Sequence, residues 1–147
     1  MKALLLIITA AVFILGGCQS AVTKKTDSGV PDVATDIKEV SPVEAQAAVS
    51  KAYSQFVDVR TPEEYSNGHA ARAINIPLDT LTANLDKLEK NEPVYLICQT
   101  GNRSKKAAQI LKDNGFNNVL NITGGTTAWQ AANLPMETKS PHSPQAN

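Results

Sequence analysis

The stretch VYLICQTGNRSKKAAQIL, residues 94–111, carries the pattern on which both the fold and the chemistry depend. Four apolar residues typical of a buried strand lead directly into Cys98, and a helical pattern begins at Ser104. The loop between them contains Gly101, which can turn where other residues cannot. A thiol in such a loop faces backbone N–H groups and the positive end of a helix dipole, both of which favour the thiolate. The alternative is a small buried hydrophobic residue, but the loop favours a reactive Cys98.

Short apolar segments alternate with helical patterns on both sides of this stretch. The predicted strands cover residues 37–40, 55–59, 73–76, 94–97 and 119–122. The predicted helices cover residues 42–52, 62–66, 81–90, 104–114 and 126–132. This alternation predicts an α/β fold, with a central parallel sheet of about five strands and helices on both faces. In such sheets ligands bind beyond the carboxyl ends of the strands, where Cys98 follows one strand and Asp58 and Arg60 lie at the end of another.

The first residues are predicted to be a signal peptide rather than part of the fold. Lys2 precedes an uncharged apolar run over residues 3–15, which is shorter than the roughly 20 residues of a membrane span. The run ends in LGGC, residues 15–18, which resembles the bacterial lipoprotein cleavage box. That resemblance implies lipidation of Cys18 and a location in the cell envelope, on the outer membrane if the organism is Gram-negative. A plain secretory signal and an uncleaved anchor are the alternatives.

The predicted domain occupies residues 37–136, between two polar segments. Residues 18–36 indicate a lipid-anchored flexible tether, and residues 137–147 a disordered tail. The chain has 14 basic and 14 acidic residues, so its charge suggests no nucleic-acid partner. Lipidation of Cys18 would leave Cys98 as the only thiol. A lone cysteine with two distant histidines forms no ligand cluster, so we expect no metal and no cofactor.

Three blocks in order resemble the single-domain rhodanese, or thiosulfate sulfurtransferase-like, family. The first is DVRTPEEY, residues 58–65, followed by Gly-His at 68–69 and AINIP at 73–77. The second is the loop CQTGNRS, residues 98–104. The third is Gly-Gly at 124–125, with Trp129 and Leu-Pro at 134–135.

Two places depart from the family pattern. Residues 70–72 read Ala-Ala-Arg where the family usually has Ile-Pro-Gly, and Asn133 stands near the place of a common glycine. Neither change removes a group that is needed at sulfur. The departures therefore weaken the substrate assignment more than the fold.

The resemblance implies a sulfurtransferase in which Cys98 takes a sulfane sulfur from thiosulfate or a similar donor and holds it as a persulfide. The acceptor would be cyanide in an assay, and a small thiol or a partner protein in the cell. Arg103 would bind the donor anion. Further hydrogen-bond donors to the anion would be supplied by the active-site loop, at Gln99, Thr100, Gly101, Asn102 and Ser104.

Three further residues of the matching blocks are predicted to support the site rather than to react. Asp58 and Arg60 are expected to pair with each other or to hold neighbouring loops. His69 is interpreted as a structural histidine rather than a general base. Trp129 and Tyr65 are expected in the core.

Other functions compete with sulfur transfer. Phosphatases and arsenate reductases also use a cysteine loop closed by arginine, but they have five residues between the two. Only four separate Cys98 from Arg103, which favours sulfur transfer. A non-catalytic rhodanese-like binding module and a persulfide carrier for a partner protein remain open alternatives.

Overall fold

The computed structural model describes residues 37–51 and 54–138. The predicted signal peptide, the tether with Cys18, and residues 139–147 of the predicted tail lie outside the described residues. Within the described part of the chain, no helix is long and apolar enough to cross a membrane.

The helices and strands alternate along the chain, as predicted. In order they are β1 (Lys38–Val40), α1 (Pro42–Val49), β2 (Gln55–Asp58), α2 (Pro62–Ser66), β3 (His69–Ala70), β4 (Ile74–Asn75), a 3₁₀ helix (Leu81–Lys87), β5 (Val94–Ile97), α3 (Asn102–Asp113), β6 (Val119–Ile122), α4 (Gly125–Ala131) and β7 (Met136–Glu137).

Five of the strands form one sheet in the order β1-β6-β5-β2-β4. All four neighbouring pairs are parallel, which confirms the predicted central sheet. Strand β5 lies in the middle, and its last residue Ile97 is in register with Asp58 at the end of β2. Cys98 therefore leaves the sheet beside Asp58, at the edge where ligands of parallel sheets bind.

Helices cover both faces of this sheet, as the alternation predicts. On one face Leu96 packs with Leu81 of the 3₁₀ helix and Leu111 of α3, in a cluster that includes Cys98. On the other face Ile97 packs with helices α1, α2 and α4, and Trp129 lies at 0% exposure. The Trp129 indole donates to the Pro135 carbonyl at 3.0 Å, so this core residue leaves no unmet donor.

The structure also corrects several predicted boundaries. Strands β3 and β7 form a separate antiparallel pair in which His69 is in register with Glu137. The predicted tail is therefore wrong at its first residue, because Glu137 belongs to a strand. Helix α3 begins at Asn102 rather than Ser104. The segment predicted as a helix over residues 81–90 is a 3₁₀ helix, interrupted by a non-helical backbone at Asn84.

Both departures from the family pattern lie at residues with a left-handed backbone. Arg72 has φ 72° and Asn133 has φ 54°. Glycine adopts this conformation without the steric penalty that a Cβ brings. Arg72 also donates from Nη1 to the Ser50 carbonyl at 2.9 Å, a contact that glycine could not make. Both residues thus adopt the backbone conformation that glycine adopts most readily.

Candidate active site

Cys98 lies directly after β5, inside the loop that the sequence singled out. Its sulfur accepts a hydrogen bond from the Gly101 N–H at 3.2 Å, and the Ser104 hydroxyl lies 3.4 Å away. That hydroxyl is also 3.1 Å from the Gly101 carbonyl, so its single proton serves one acceptor at a time. Cys98 is only 1% exposed, and Sγ therefore sits among fixed donors rather than in open water.

These donors determine the charge state of the thiol. Burial alone raises the pKa of Cys98 because it disfavours the charged thiolate. The Ser104 hydroxyl opposes this, together with the backbone N–H groups of Ser104, Thr100 and Gly101, and the net result is a lowered pKa. The sequence predicted hydrogen-bond donors at residues 99–102 and 104 of the loop. The structure brings three of these residues, Thr100, Gly101 and Ser104, to the sulfur. The arrangement therefore favours the nucleophilic thiolate more than an ordinary cysteine environment does.

Gly101 allows the loop to close around the sulfur. Its φ of 97° is in the left-handed region, and it directly precedes the first residue of α3. A Cβ here would lie 3.4 Å from the backbone nitrogen of Gly124. That distance is an ordinary van der Waals contact, so the predicted need for glycine in this loop has a conformational basis rather than a steric one.

The start of α4 holds the outer side of the same loop, which the sequence did not predict. The N–H groups of Thr126 and Thr127 donate to the carbonyls of Cys98 and Gln99 at 2.7 and 3.1 Å. A Cβ on Gly125 would overlap the Cys98 carbonyl oxygen and come within 2.7 Å of the Gln99 carbonyl carbon. The sequence marks the glycine pair at 124–125 without indicating its role. Gly125 allows the start of α4 to lie against the backbone of Cys98 and Gln99.

Arg103 does not stand free at the mouth of the loop. Its Nη1 and Nη2 donate to the two oxygens of Glu64 at 2.7 and 2.6 Å. Hydrogen bonds from Arg103, opposed by burial and aided by Thr61, lower the pKa of Glu64 to about 2. The predicted anion site of Arg103 is therefore occupied by a carboxylate of the chain itself. Anion binding by Arg103 stays a prediction, and an anion that approaches Nη1 and Nη2 competes with Glu64 for them.

Asp58 and Arg60 form a second pair, as predicted. Arg60 Nη2 and Nε donate to Asp58 Oδ2 at 2.7 and 2.9 Å, and Arg60 Nη2 also donates to the Gly68 carbonyl at 2.7 Å. Asp58 is 0% and Arg60 5% exposed. Asn75 donates to the carbonyls of both residues at 2.9 Å. The buried pair thus holds the end of β2 against the start of β3, which is a structural role.

His69 lies away from the sulfur. Its ring is fully buried and stacks on the Tyr65 ring, with 3.6 Å between the centroids. Tyr65 belongs to the core on the opposite sheet face from the Cys98 cluster. His69 Nδ1 lies 2.9 Å from the Tyr65 carbonyl oxygen, so this nitrogen carries the proton and donates. The geometry supports the structural interpretation of His69.

A depression of about 300 Å³ opens beside Arg103. Val59, Pro77 and Leu78 form its apolar wall, and Thr61 and Asp79 are its polar members. Val59 belongs to the same packed cluster as Cys98, and Leu78 packs against that cluster. The depression therefore lies beside Arg103, in the first turn of α3. Among the described residues, no group of three or more His, Cys, Asp or Glu side chains could hold a metal ion.

Together these features define an α/β domain in which a cysteine with a lowered pKa lies in a loop at the strand ends. A model of the rhodanese-like domain matches residues 41–132. The chain belongs to the rhodanese-like family, as its three sequence blocks predict.

Two curated relatives illustrate the similarity. YqhL of Bacillus subtilis, an uncharacterized protein, is 40% identical over 93 residues, which cover 63% of this chain and 72% of the relative. The thiosulfate sulfurtransferase GlpE of Vibrio cholerae is 34% identical over 93 residues, which cover 63% of this chain and 88% of that protein.

Solved structures agree with the fold. A rhodanese-like domain protein from Staphylococcus aureus superposes with a TM-score of 0.63 at 36% identity, over 71% of this chain and 100% of that one. A rhodanese-related protein from Thermoplasma volcanium gives a TM-score of 0.63 at 28% identity, over 69% of this chain and 99% of the other.

Proposed function

We propose that this protein is a sulfurtransferase that carries sulfur as a persulfide on Cys98. The donor is thiosulfate or a similar sulfane-sulfur compound, and the acceptor is a thiol, or cyanide in an assay. Membership of the rhodanese-like family supports sulfur transfer at the family level. The observation that carries the proposal is the Cys98 sulfur, held among N–H and hydroxyl donors that lower its pKa.

The chemistry proceeds in two displacements. The Cys98 thiolate attacks the outer sulfur of the donor and forms a new S–S bond. The old S–S bond of the donor breaks, and its electron pair leaves with sulfite. An acceptor thiolate or cyanide then attacks the outer sulfur of the persulfide, and Cys98 leaves as the thiolate again. Preset donors stabilise the negative sulfur in each displacement.

Phosphoryl transfer is poorly served by the same geometry. Only four residues separate Cys98 from Arg103, one fewer than in the phosphatase loop. In addition, Nη1 and Nη2 of Arg103, which would bind a phosphate, already donate to Glu64. We therefore expect negligible turnover of aryl phosphates beside clear activity with thiosulfate. A higher rate with aryl phosphates would contradict the proposal.

Intact-mass spectrometry of the purified full-length chain tests the persulfide. After incubation with thiosulfate, the wild type should gain the mass of one sulfur atom, which cyanide removes. Cys98→Ser should gain none, because a serine hydroxyl is a far weaker nucleophile at neutral pH. Cys18→Ser is the matched control, since it removes the other cysteine of the chain, and it should load like the wild type. A Cys98→Ser chain with cyanide-labile sulfur would refute the mechanism.

The Cys18→Ser variant also tests the location. We propose that Cys18 carries a lipid anchor that holds the domain at the cell envelope, because residues 15–18 resemble a lipoprotein cleavage box. The wild-type chain should then fractionate with membranes, and the variant should not. Equal membrane association of the two chains would contradict the anchor.

The two open alternatives separate in the same assay. A binding module would gain no sulfur at Cys98. A persulfide carrier would load sulfur but release it slowly to cyanide and small thiols, and quickly to a partner protein.

A further inference from the structure

The pair of Glu64 and Arg103 bears on which sulfur donor the site accepts. Thiosulfate carries two negative charges, and arginine binds such anions through a fork of two N–H donors. Here Nη1 and Nη2 of Arg103 each already donate to an oxygen of Glu64. Two of the five N–H donors of the guanidinium are therefore engaged by a carboxylate, and a doubly charged donor meets an arginine whose charge is already balanced.

Glu64 is itself held in place for this contact. Its Oε2 also accepts hydrogen bonds from the backbone N–H and the hydroxyl of Thr61, both at 3.1 Å. The bond from the N–H is one half of the capping box at the start of α2. Glu64 is therefore positioned from its own helix, independently of the loop that it contacts.

The surroundings of the pair point to the same preference. Arg103 is the one cation among the residues that line the depression, and Asp79 adds an exposed carboxylate. Because Glu64 neutralises Arg103, the charge that remains among the residues lining the depression is the negative charge of Asp79. The wall of Val59, Pro77 and Leu78 is apolar, which suits an organic substituent better than a second charged oxygen.

We infer that Glu64 is a specificity-determining residue, which cancels the charge of Arg103 and favours singly charged organic sulfur donors over doubly charged thiosulfate. The inference rests on the proposed function and concerns the same site. A suitable class of donor is the organic thiosulfonates, R–SO₂–S⁻. The Cys98 thiolate forms an S–S bond with the terminal sulfur, the S–S bond of the donor breaks, and the electron pair leaves with the sulfinate R–SO₂⁻.

Methanethiosulfonate and thiosulfate form a matched pair of donors. They present the same kind of terminal sulfur, and a methyl group in one replaces a charged oxygen in the other. The ratio of kcat/KM for thiosulfate to kcat/KM for methanethiosulfonate therefore reports how the site treats the second charge. Release of sulfite or methanesulfinate by the full-length chain measures each value.

Glu64→Gln is the informative variant, because glutamine also serves in a capping box and removes the charge, leaving one acceptor oxygen instead of two. Glu63→Gln is the matched control, which removes an exposed charge from the neighbouring residue of the same helix. Arg103→Met tests the opposite change, because it removes the positive charge and leaves the negative charge of Glu64 unbalanced.

In Glu64→Gln we expect the donor ratio to rise by about tenfold or more through a lower KM for thiosulfate, since bonds to charged groups are the stronger ones. In Glu63→Gln it should change by less than about twofold. In Arg103→Met it should fall. If Glu64 only positions the loop, both donors will lose activity together and the ratio will stay constant, which overturns the inference.

The failure of this inference differs from the failure of the proposed function. If the wild type gains cyanide-labile sulfur but Glu64→Gln leaves the ratio unchanged or lowers it, only the inference is wrong. If no chain gains sulfur from either donor, the proposed function is wrong and the inference falls with it.

Discussion

Two arginine–carboxylate pairs lie near the same edge of the sheet, with similar distances and different surroundings. Asp58 and Arg60 are two residues apart, and their side chains are 0% and 7% exposed. Glu64 and Arg103 are separated by 39 residues, and their side chains are 31% and 35% exposed. The closest nitrogen–oxygen distances are 2.7 and 2.6 Å. Distance alone therefore does not distinguish the two pairs.

Burial is what separates their roles. Removing either partner of the buried pair leaves a charge that water cannot reach, so that pair is fixed to the fold. Water already competes for the pair of Glu64 and Arg103, whose side chains are about one third exposed, so we expect an anionic ligand to be able to replace the carboxylate. The comparison teaches that short hydrogen bonds do not by themselves make an arginine–carboxylate pair permanent. The exposure of the pair decides whether another anion can compete for the arginine.

The largest expected effect is the difference in stability between Asp58→Asn and Glu64→Gln. Asp58→Asn should lower the free energy of unfolding by about 3–5 kcal/mol, because it leaves Arg60 buried without its counter-charge. Glu64→Gln should lower it by about 1 kcal/mol or less, because the pair is partly exposed and the helix cap is kept. Denaturant unfolding at pH 7 measures both. Equal losses would show that burial does not separate the pairs.

Lysine substitutions of the two arginines sharpen the comparison at smaller magnitude. Arg60→Lys keeps the charge but removes the fork that joins Asp58 to the Gly68 carbonyl, and it should cost about 1–3 kcal/mol of stability. Arg103→Lys should cost less than about 1 kcal/mol. The same unfolding experiment compares them. A larger loss in Arg103→Lys would mean that the exposed pair supports the fold more than the buried one.

The fold was largely predictable because its signals are local and periodic. Apolar segments separated by helical patterns defined all five strands of the main sheet and placed Cys98 at a strand end. Strands β3 and β7 were missed because they lie in no apolar run, whereas the equally short β4 lies within the run at residues 73–76. The start of α3 was placed two residues late, since Gly101 precedes a helix whose first residue, Asn102, has no apolar pattern to mark it.

The contacts that tune the site were less predictable, because they join distant segments. The Thr61–Glu64 spacing indicates a helix cap, which accounts for Glu64 locally and conceals its partner 39 residues away. The glycine pair at 124–125 was recognised, but not the close approach of α4 to the Cys98 carbonyl. Asp58 and Arg60, by contrast, lie two residues apart, and their pairing was predicted correctly.

The smallest expected effect concerns acid. Arg103, with Thr61, lowers the pKa of Glu64 in the folded protein from 4.5 to about 2. A group with a lowered folded-state pKa contributes stability above its unfolded pKa and loses that contribution as the pH falls towards the folded value. The free energy of unfolding of the wild type should therefore exceed that of Glu64→Gln by a constant small amount above about pH 5, and the excess should shrink between pH 4.5 and 2. Because the carboxylate is 31% exposed, solvent screening keeps this excess below about 1 kcal/mol.

Paired denaturant titrations of the wild type and Glu64→Gln at pH 7 and pH 3 measure this excess, with Glu63→Gln as the control that should show no comparable change. An excess that is undiminished at pH 3 would mean that Glu64 stabilises the protein through packing rather than through its charge. The two pairs would then differ less than their exposure indicates.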